Sequence, residues 1–572
     1  MKLRVLFSAT LMWLLPLAAG QGQNKQAATT SASEIPHLRK QGTATQMIVD
    51  GKPYLALSGE LLNSSATSVE YLKPFWSKFV ATKLNTLLPG VAWNQIEPQE
   101  GKFDFRVLDG VIQEARNHSL HLVLLWFGSW KNDTSSYAPD WVKKDFERFP
   151  RAQVASGKTI ELLSTLSDAN RDADARAFAA LMRHIKAVDG QQHTVIMIQV
   201  ENEVGMRGDS RDHTPAADKA FAGPVPKELM DYLQQHKDTL IPEFRQVWEA
   251  AGFKTSGTWE EVFGKSRVTD GIFMAWNYGR YIGRVVEAGK AEYPIPMYVN
   301  AALYGIGRGT QPVASNGRPL DVVMDVWRAG GPKIDILSPD AYSEGDFAGF
   351  CAKYTQSGNP LFIPETSGGR GDAARAIYAF GRHDAIGFSP FAIDRWAGND
   401  AELASAYGLL SQLSPLILAH QGNGTMSAVR LGPKDPPQKI QVGNYTLEAS
   451  FLIPPGSRAP TTGLDALPYA AAIFIAAGPD EYFIAGSAVR ISFTPNTPGP
   501  PQVGLGTVEE GSFVNGRWVP GRQLAGDDTG QGDFLGLWAN WKSAGWPGDA
   551  TEGQNLSLRD MSIQRVTLYR YR

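Results

Sequence analysis

The sequence predicts an α/β fold: a (β/α)8 TIM barrel followed by a C-terminal all-β sandwich. Three observations predict it. Over residues 35–421, eight short apolar, β-branched runs alternate with amphipathic stretches, as parallel strands buried on both faces do between helices. Two of those runs end in carboxylates, at the rim where such a barrel keeps its chemistry. After residue 421 helical spacing stops, and β-rich runs follow between Gly, Pro, Asn and Asp turns. An open doubly wound sheet is the alternative for the first part, but no G-x-G-x-x-G follows its first strand.

At the N-terminus, Lys2 and Arg4 precede an apolar run, 5–17, and Ala18-Ala19-Gly20 offers small residues for cleavage. Residues 1–20 therefore read as a signal peptide cut near Gly20, and 21–34 as a disordered polar leader. A periplasmic or secreted location is expected. The run is short for a bilayer and contains Pro16, so no stable membrane insertion is expected once it is removed.

Barrel strands are expected at 54–61, 84–93, 120–127, 194–203, 296–302, 334–342, 360–366 and 385–393. Helical spacing falls at 69–82, 105–117, 172–188, 226–235, 280–288 and 373–381. Two long connections, 128–169 and 204–225, follow the third and fourth strands, where barrel loops frame a substrate cleft. The second domain, 425–572, shows strand patterns at 427–431, 439–442, 446–452, 470–476, 482–485, 489–493 and 565–571.

Bulk composition excludes several functions. A length of 572 residues, 43% of them hydrophobic, supports more than one core. The formal net charge of -3 shows no basic excess, so a nucleic-acid partner is not expected. Cys351 is the one cysteine, which rules out an internal disulfide. With no C-x-x-C or H-E-x-x-H spacing, neither a metal nor another cofactor is expected. Oligomeric state leaves no mark in the sequence.

The stretch 194–205, T-V-I-M-I-Q-V-E-N-E-V-G, runs from a buried strand into Glu201, Asn202 and Glu203. The stretch 360–366, P-L-F-I-P-E-T, delivers Glu365 on the seventh strand. Splitting a glycosidic bond needs one carboxylic acid on the leaving oxygen and one carboxylate on the opposite face. Glu203 and Glu365 fit those roles, with Asn202 beside them as a donor to a sugar hydroxyl. Weaker candidates on the same rim are Glu60, Tyr342 as a donor to Glu365, and Trp93, Trp126 and Trp130 as sugar platforms. Glu97, followed by Pro98, reads as a structural loop residue.

V-E-N-E-V-G at 200–205 resembles the V-E-N-E-Y-G signature of glycoside hydrolase family 35, chiefly β-galactosidases. W-N-Q-I-E-P-Q-E-G-K-F-D-F at 93–105 resembles the same family's W-N-x-H-E-P segment. The resemblance spans roughly 40–420, and the tail looks like the β domain of a bacterial branch. It implies an exported retaining β-galactosidase acting on carbohydrate, with Glu203 as acid/base, Glu365 as nucleophile and Asn202 on the sugar 2-hydroxyl. It departs at 58–63 (S-G-E-L-L-N), 125–130 (L-W-F-G-S-W) and 388–391 (F-S-P-F), where galactose contacts would be sought. Another retaining β-glycosidase on the same barrel, or a non-catalytic carbohydrate-binding protein, are the alternatives. The chemistry further requires Glu365 ionised and held low by donors, and Glu203 protonated.

Overall fold

Eight parallel strands close on themselves in the computed structural model: Ala56–Glu60, Thr86–Leu88, His121–Lys131, Val195–Asn202, Met297–Ala302, Ile336–Asp340, Phe362–Thr366 and Gly387–Pro390. The eighth returns to the first through Gly387 opposite Ala56 and Phe388 opposite Leu57. Each observed strand lies within or overlaps its expected run, and the barrel is the predicted one. The structure describes residues 34–303, 316–343, 346–369, 371–452, 469–538 and 561–572. The expected signal peptide, and the leader apart from Glu34, lie outside the described residues.

The helices show where local chemistry overrides pattern. The expected helix at 69–82 is two, Val69–Leu72 and Trp76–Ala81, because Pro74 between them cannot donate to the helical ladder. The expected 280–288 is the second half of Arg267–Glu292, whose start is fixed by Ser266 accepting from the Thr269 N–H. Ser167 caps Asp168–Asp189 in the same way, through Asn170.

An N-terminal hairpin, His37–Gln41 and Ala44–Val49, plugs one barrel end. Its Met47 and Val49 join Val123, Leu125, Ile196 and Phe362 in a core inside the barrel. Each such side chain taken from water contributes about 1.5–3 kcal/mol. The other mouth is left for polar residues, which come from strand ends.

The C-terminal part is all-β, in two antiparallel sheets. One holds Met426–Leu431, Ala470–Gly478, Glu481–Ser487, Ser562–Tyr571, Gln502–Val514 and Arg517–Gln523 in that order; the other holds Gln438–Val442, Tyr445–Phe451, Val489–Pro495 and Leu535–Leu537. The sheets stack: Tyr482 of the first donates to the Val442 carbonyl of the second at 2.8 Å. Three of these strands have no counterpart among the expected ones. Gln502–Val514 is interrupted by Gly504, Gly506 and Gly511, and Arg517–Gln523 is almost wholly exposed, so neither carries the apolar alternation that marks a strand. Leu535–Leu537 is too short to show one.

The helix Ala401–His420 packs on both parts. Tyr407 Oη lies 2.8 Å from the Ser58 carbonyl and 2.9 Å from that of Phe388, while Gln412 accepts from the Phe513 N–H at 3.1 Å. Against the first sheet lies Asp372–His383, where a Cβ on Gly381 would stand 2.7 Å from Ala428 Cβ and 2.8 Å from Ile473 Cγ1. That contact is closed to larger side chains. Gly381→Leu should therefore destabilise the protein by about 1–3 kcal/mol, as overpacking does. An unchanged melting temperature in that variant would show that the two surfaces separate without cost.

Candidate active site

The fourth strand decides which carboxylates reach the mouth. Strict alternation would put Gln199, Glu201 and Glu203 on one face. Instead the register against the third strand shifts between Val200 and Asn202, and Glu201 takes a left-handed backbone, φ 63°. Its carboxylate turns into the layer behind the strand, accepting from the Ser129 N–H at 3.0 Å and the Trp130 N–H at 2.6 Å. Asp174 of helix Asp168–Asp189 lies against it and accepts from Trp126 Nε1 at 2.9 Å and Ser129 Oγ at 2.6 Å. Burial first, then Asp174, pushes the Glu201 carboxyl well above the ordinary range. A Cβ on Gly128 would lie 2.7 Å from Glu201 Oε1 and 2.8 Å from Asp174 Oδ1, so any side chain there would push the two carboxyls aside.

With Glu201 turned away, Asn202 and Glu203 enter the mouth. Glu203, itself at φ 46°, donates its N–H to Asn300 Oδ1 at 3.0 Å and accepts from Asn132 through Oε2. Asn202 is fully buried. In the amide orientation that satisfies its neighbours, its nitrogen donates to Glu365 Oε1 at 3.3 Å and its oxygen accepts from Lys131 Nζ at 2.9 Å.

Glu365 stands on the seventh strand in register with Asp340 of the sixth. Tyr342 donates to its Oε2 at 2.7 Å, as expected from the sequence. Asn300, on the fifth strand, splits its Nδ2 between Glu365 Oε1 at 3.2 Å and Asp340 Oδ2 at 2.9 Å. One oxygen from each of Glu203, Asp340 and Glu365 lies within 4.8 Å of the other two. Glu60, ending the first strand, is fully buried, and neither carboxyl oxygen meets a donor. Charge on Glu365 and Glu203 and the Lys131 ammonium all act on it, so it faces the same space.

The structure brings Glu203, Glu365, Asn202, Tyr342 and Glu60 together. It does not offer the three tryptophans as platforms. Trp93, Trp126 and Trp130 are fully buried, and each indole N–H is taken by protein: Glu97, Asp174 and the Leu163 carbonyl respectively. Trp93 packs edge-on to Trp141, and Trp130 on Tyr278 and Tyr281. Glu97, holding Trp93 and the Gly101 N–H, is the structural residue expected. Trp396 is 42% exposed and packs beside Gly368, three residues past Glu365. Sequence reasoning misses it, along with Asn132, Lys131, Asn300 and Asp340. A polar residue inside an otherwise apolar strand end, as in M-Y-V-N-A-A and I-L-S-P-D, is the available signal for the last two.

Glu365 is not held low. Burial first, then the charge of Glu203, raises its carboxyl to about 7, outweighing Lys131 and the Tyr342 hydroxyl. Asp340 and Glu60 are pushed well up by the same burial and by their carboxylate neighbours. The pocket therefore concentrates four carboxyl groups, and three of them, Glu60, Asp340 and Glu365, are raised by burial and by neighbouring carboxylates.

Comparison with known proteins agrees with this chemistry over part of the chain. A glycoside hydrolase family 42 model, described as β-galactosidase, matches residues 76–269, and a domain of unknown function (DUF5597) matches 403–536. A β-galactosidase of Xanthomonas manihotis is 30% identical over 212 residues, 36% of this chain and 32% of that protein. The chain thus spans about a third of that relative's length. The β-galactosidase description is common to both matches, but the matching model is that of family 42, where the sequence motifs resemble family 35. Among solved structures, a β-galactosidase from Bacillus circulans sp. alkalophilus aligns with a TM-score of 0.44 at 15% identity, covering 64% of this chain and 57% of that one. The catalytic domain of a β-amylase from Paenibacillus polymyxa aligns with a TM-score of 0.44 at 12% identity, covering 63% and 97%.

Asn300 is the amide on which the two sides of the pocket meet. Asn300→Ala should leave the Glu203 N–H and one oxygen each of Asp340 and Glu365 without this partner. Each buried group so orphaned costs about 1–3 kcal/mol. A thermal melt should show a clear fall in Tm at neutral pH, and a melt matching the parent would mean water replaces the amide.

Proposed function

We propose that this protein is an exported retaining β-galactosidase that releases terminal β-galactosyl units from oligo- or polysaccharides by double displacement. The observation that carries this is the closeness of the Glu203 and Glu365 carboxyl oxygens, within 4.8 Å, in a buried pocket. Retaining enzymes hold their two carboxyls about 5–5.5 Å apart, and inverting ones leave more room for a water. Galactose as the sugar rests on the motifs resembling family 35 and on the family 42 match, and export rests on residues 1–20 alone.

In this reading Glu365 attacks the anomeric carbon while Glu203 protonates the leaving oxygen. Tyr342 and Asn300 orient Glu365, and Asn132 orients Glu203. Glu203 then removes a proton from water, which displaces Glu365 with a second inversion. In the same reading Asn202 donates to the 2-hydroxyl, as the motif resemblance implies, and Glu60, whose oxygens meet no protein donor, accepts from other hydroxyls of the ring. Trp396, on the rim, is the aromatic face open to the next sugar.

A panel of nitrophenyl glycosides tests the assignment. The β-galactoside should turn over fastest, and the first product seen by NMR should be the β anomer. Turnover of another sugar would sink galactose but not the mechanism, and initial α anomer would sink the role of Glu365. Glu365→Gln should abolish turnover on all members. Glu203→Gln should cost about 10²–10⁴-fold on substrates with poor leaving groups and far less in the first step on an activated aryl glycoside. N-terminal sequencing of the exported protein should begin near residue 21.

The acidic limb of kcat/KM follows from the raised Glu365. Attack needs its carboxylate, so activity is present above its pKa and lost as pH falls through it. The limb should centre at about 7 and fall about tenfold per pH unit below that. Full activity retained at pH 5 would show that Glu365 is ionised there and the pocket less desolvating than its burial indicates.

A further inference from the structure

Double displacement uses two carboxyl groups, yet the pocket holds a third beside them. Asp340 is only 1% exposed. Its Oδ2 accepts from Asn300, and its Oδ1 meets no donor. It makes no ion pair among the described residues. Glu365 faces it from the seventh strand, Glu203 from the fourth and Glu60 from the first. Tyr298 and Tyr342 lie close enough to feel its charge, and Lys131 acts on Glu60 and Glu365. Carboxylates this close and this buried cannot all stay ionised, and one must keep a proton. A cation held by the three oxygens would instead occupy the space between Glu203 and Glu365 where the anomeric carbon has to sit.

We propose that Asp340 is a neutral carboxylic acid in the working enzyme and positions Glu203 by donating a hydrogen bond to it from Oδ1. The inference rests on the reading of Glu203 as acid/base. An oxygen of Asp340 lies within 4.8 Å of one of Glu203, close enough for a small turn of either carboxyl to bring them into a hydrogen bond. With Asn132 on Oε2, the Glu203 carboxyl is then held from two sides. In the first step Glu203 gives its proton to the leaving oxygen, and the Asp340 O–H donates to the carboxylate that results. In the second step Glu203 takes a proton from water. Asp340 keeps its own proton throughout, so it is a positioning residue and adds nothing to the balance of the reaction. Its neutrality also spares Glu365 a further negative neighbour.

Two variants separate this role from others. Asp340→Asn keeps the shape and a donor at the Oδ1 position, so kcat/KM should stay within about threefold of the parent with an unmoved acidic limb. Asp340→Ala removes the donor and should lower kcat on the order of 10- to 100-fold, the worth of a hydrogen bond to a charged group. Infrared difference spectra of 13C-aspartate-labelled protein should show a carboxylic-acid C=O band at neutral pH that Asp340→Asn removes. The proposal is overturned by any of three results: Asp340→Asn as impaired as Asp340→Ala, an acidic limb moved a full pH unit lower in Asp340→Asn, or no such band. Activity lost to EDTA and restored by Mn²⁺ would also overturn it, by making the cluster a cation site. Failure of the underlying reading looks different, because Glu203→Gln would then leave rates unchanged on unactivated substrates.

Discussion

The pocket depends on one carboxylate that never enters it. Glu201 accepts two consecutive backbone N–H groups, from Ser129 and Trp130, and this pins the end of the third strand against the fourth. The register shift beside it changes the parity of everything downstream. Without it, Asn202 would point into the layer between strand and helix. The cost is a left-handed, non-glycine backbone at Glu201, about 1–3 kcal/mol, set against the two backbone hydrogen bonds its carboxyl accepts. Such strain persists where surrounding structure over-determines it, and Gly128, packed against both carboxyls, is part of that surround.

Inside the mouth, loss of hydration is the largest influence on Glu365, Asp340 and Glu60. A barrel whose other end is plugged by an apolar hairpin presents its polar strand ends to a buried space, so each carboxyl there is stripped of water. Lys131 and the amides of Asn132, Asn202 and Asn300 restore part of what is lost. Amides suit this task because they donate without adding a charge, and one amide can serve two acids at once, as Asn300 does. The result is that Glu365, Asp340 and Glu60 hold their protons to higher pH than free carboxyls do, a displacement that suits general acid and base work.

Much of this is legible in the chain. The eight strands announce themselves because a parallel strand buried on both faces must be apolar throughout, and Glu203 and Glu365 stand out where those runs turn polar. Tyr342 is readable for the same reason. The rim tryptophans mislead, because an indole next to a strand end is equally at home behind the sheet, and burial against Tyr278, Tyr281 and Trp141 is decided by helices far along the chain. The reversed face of Glu201 is hidden, since a register shift leaves no compositional trace. The direction of the Glu365 shift escapes because donors can be guessed from sequence, whereas depth of burial is a property of the whole barrel. The strand Gln502–Val514 and its exposed partner escape because glycines and exposed polar residues break the apolar alternation, although Val508, Phe513 and Trp518 still pack on the core.

The closing seam of the barrel has a consequence for how the chain is made. Ser58 Oγ donates to the Phe388 carbonyl across 330 positions of sequence, and Tyr407 reaches the carbonyls of both partners. Synthesis delivers the first strand early and its neighbour late. Until the eighth strand and the following helix have left the ribosome, Ala56–Glu60 has an unsatisfied edge along its whole length. The first seven strands must therefore wait as an open, apolar sheet, exposed to pairing with other chains, and a chaperone that shields this edge would act in that interval.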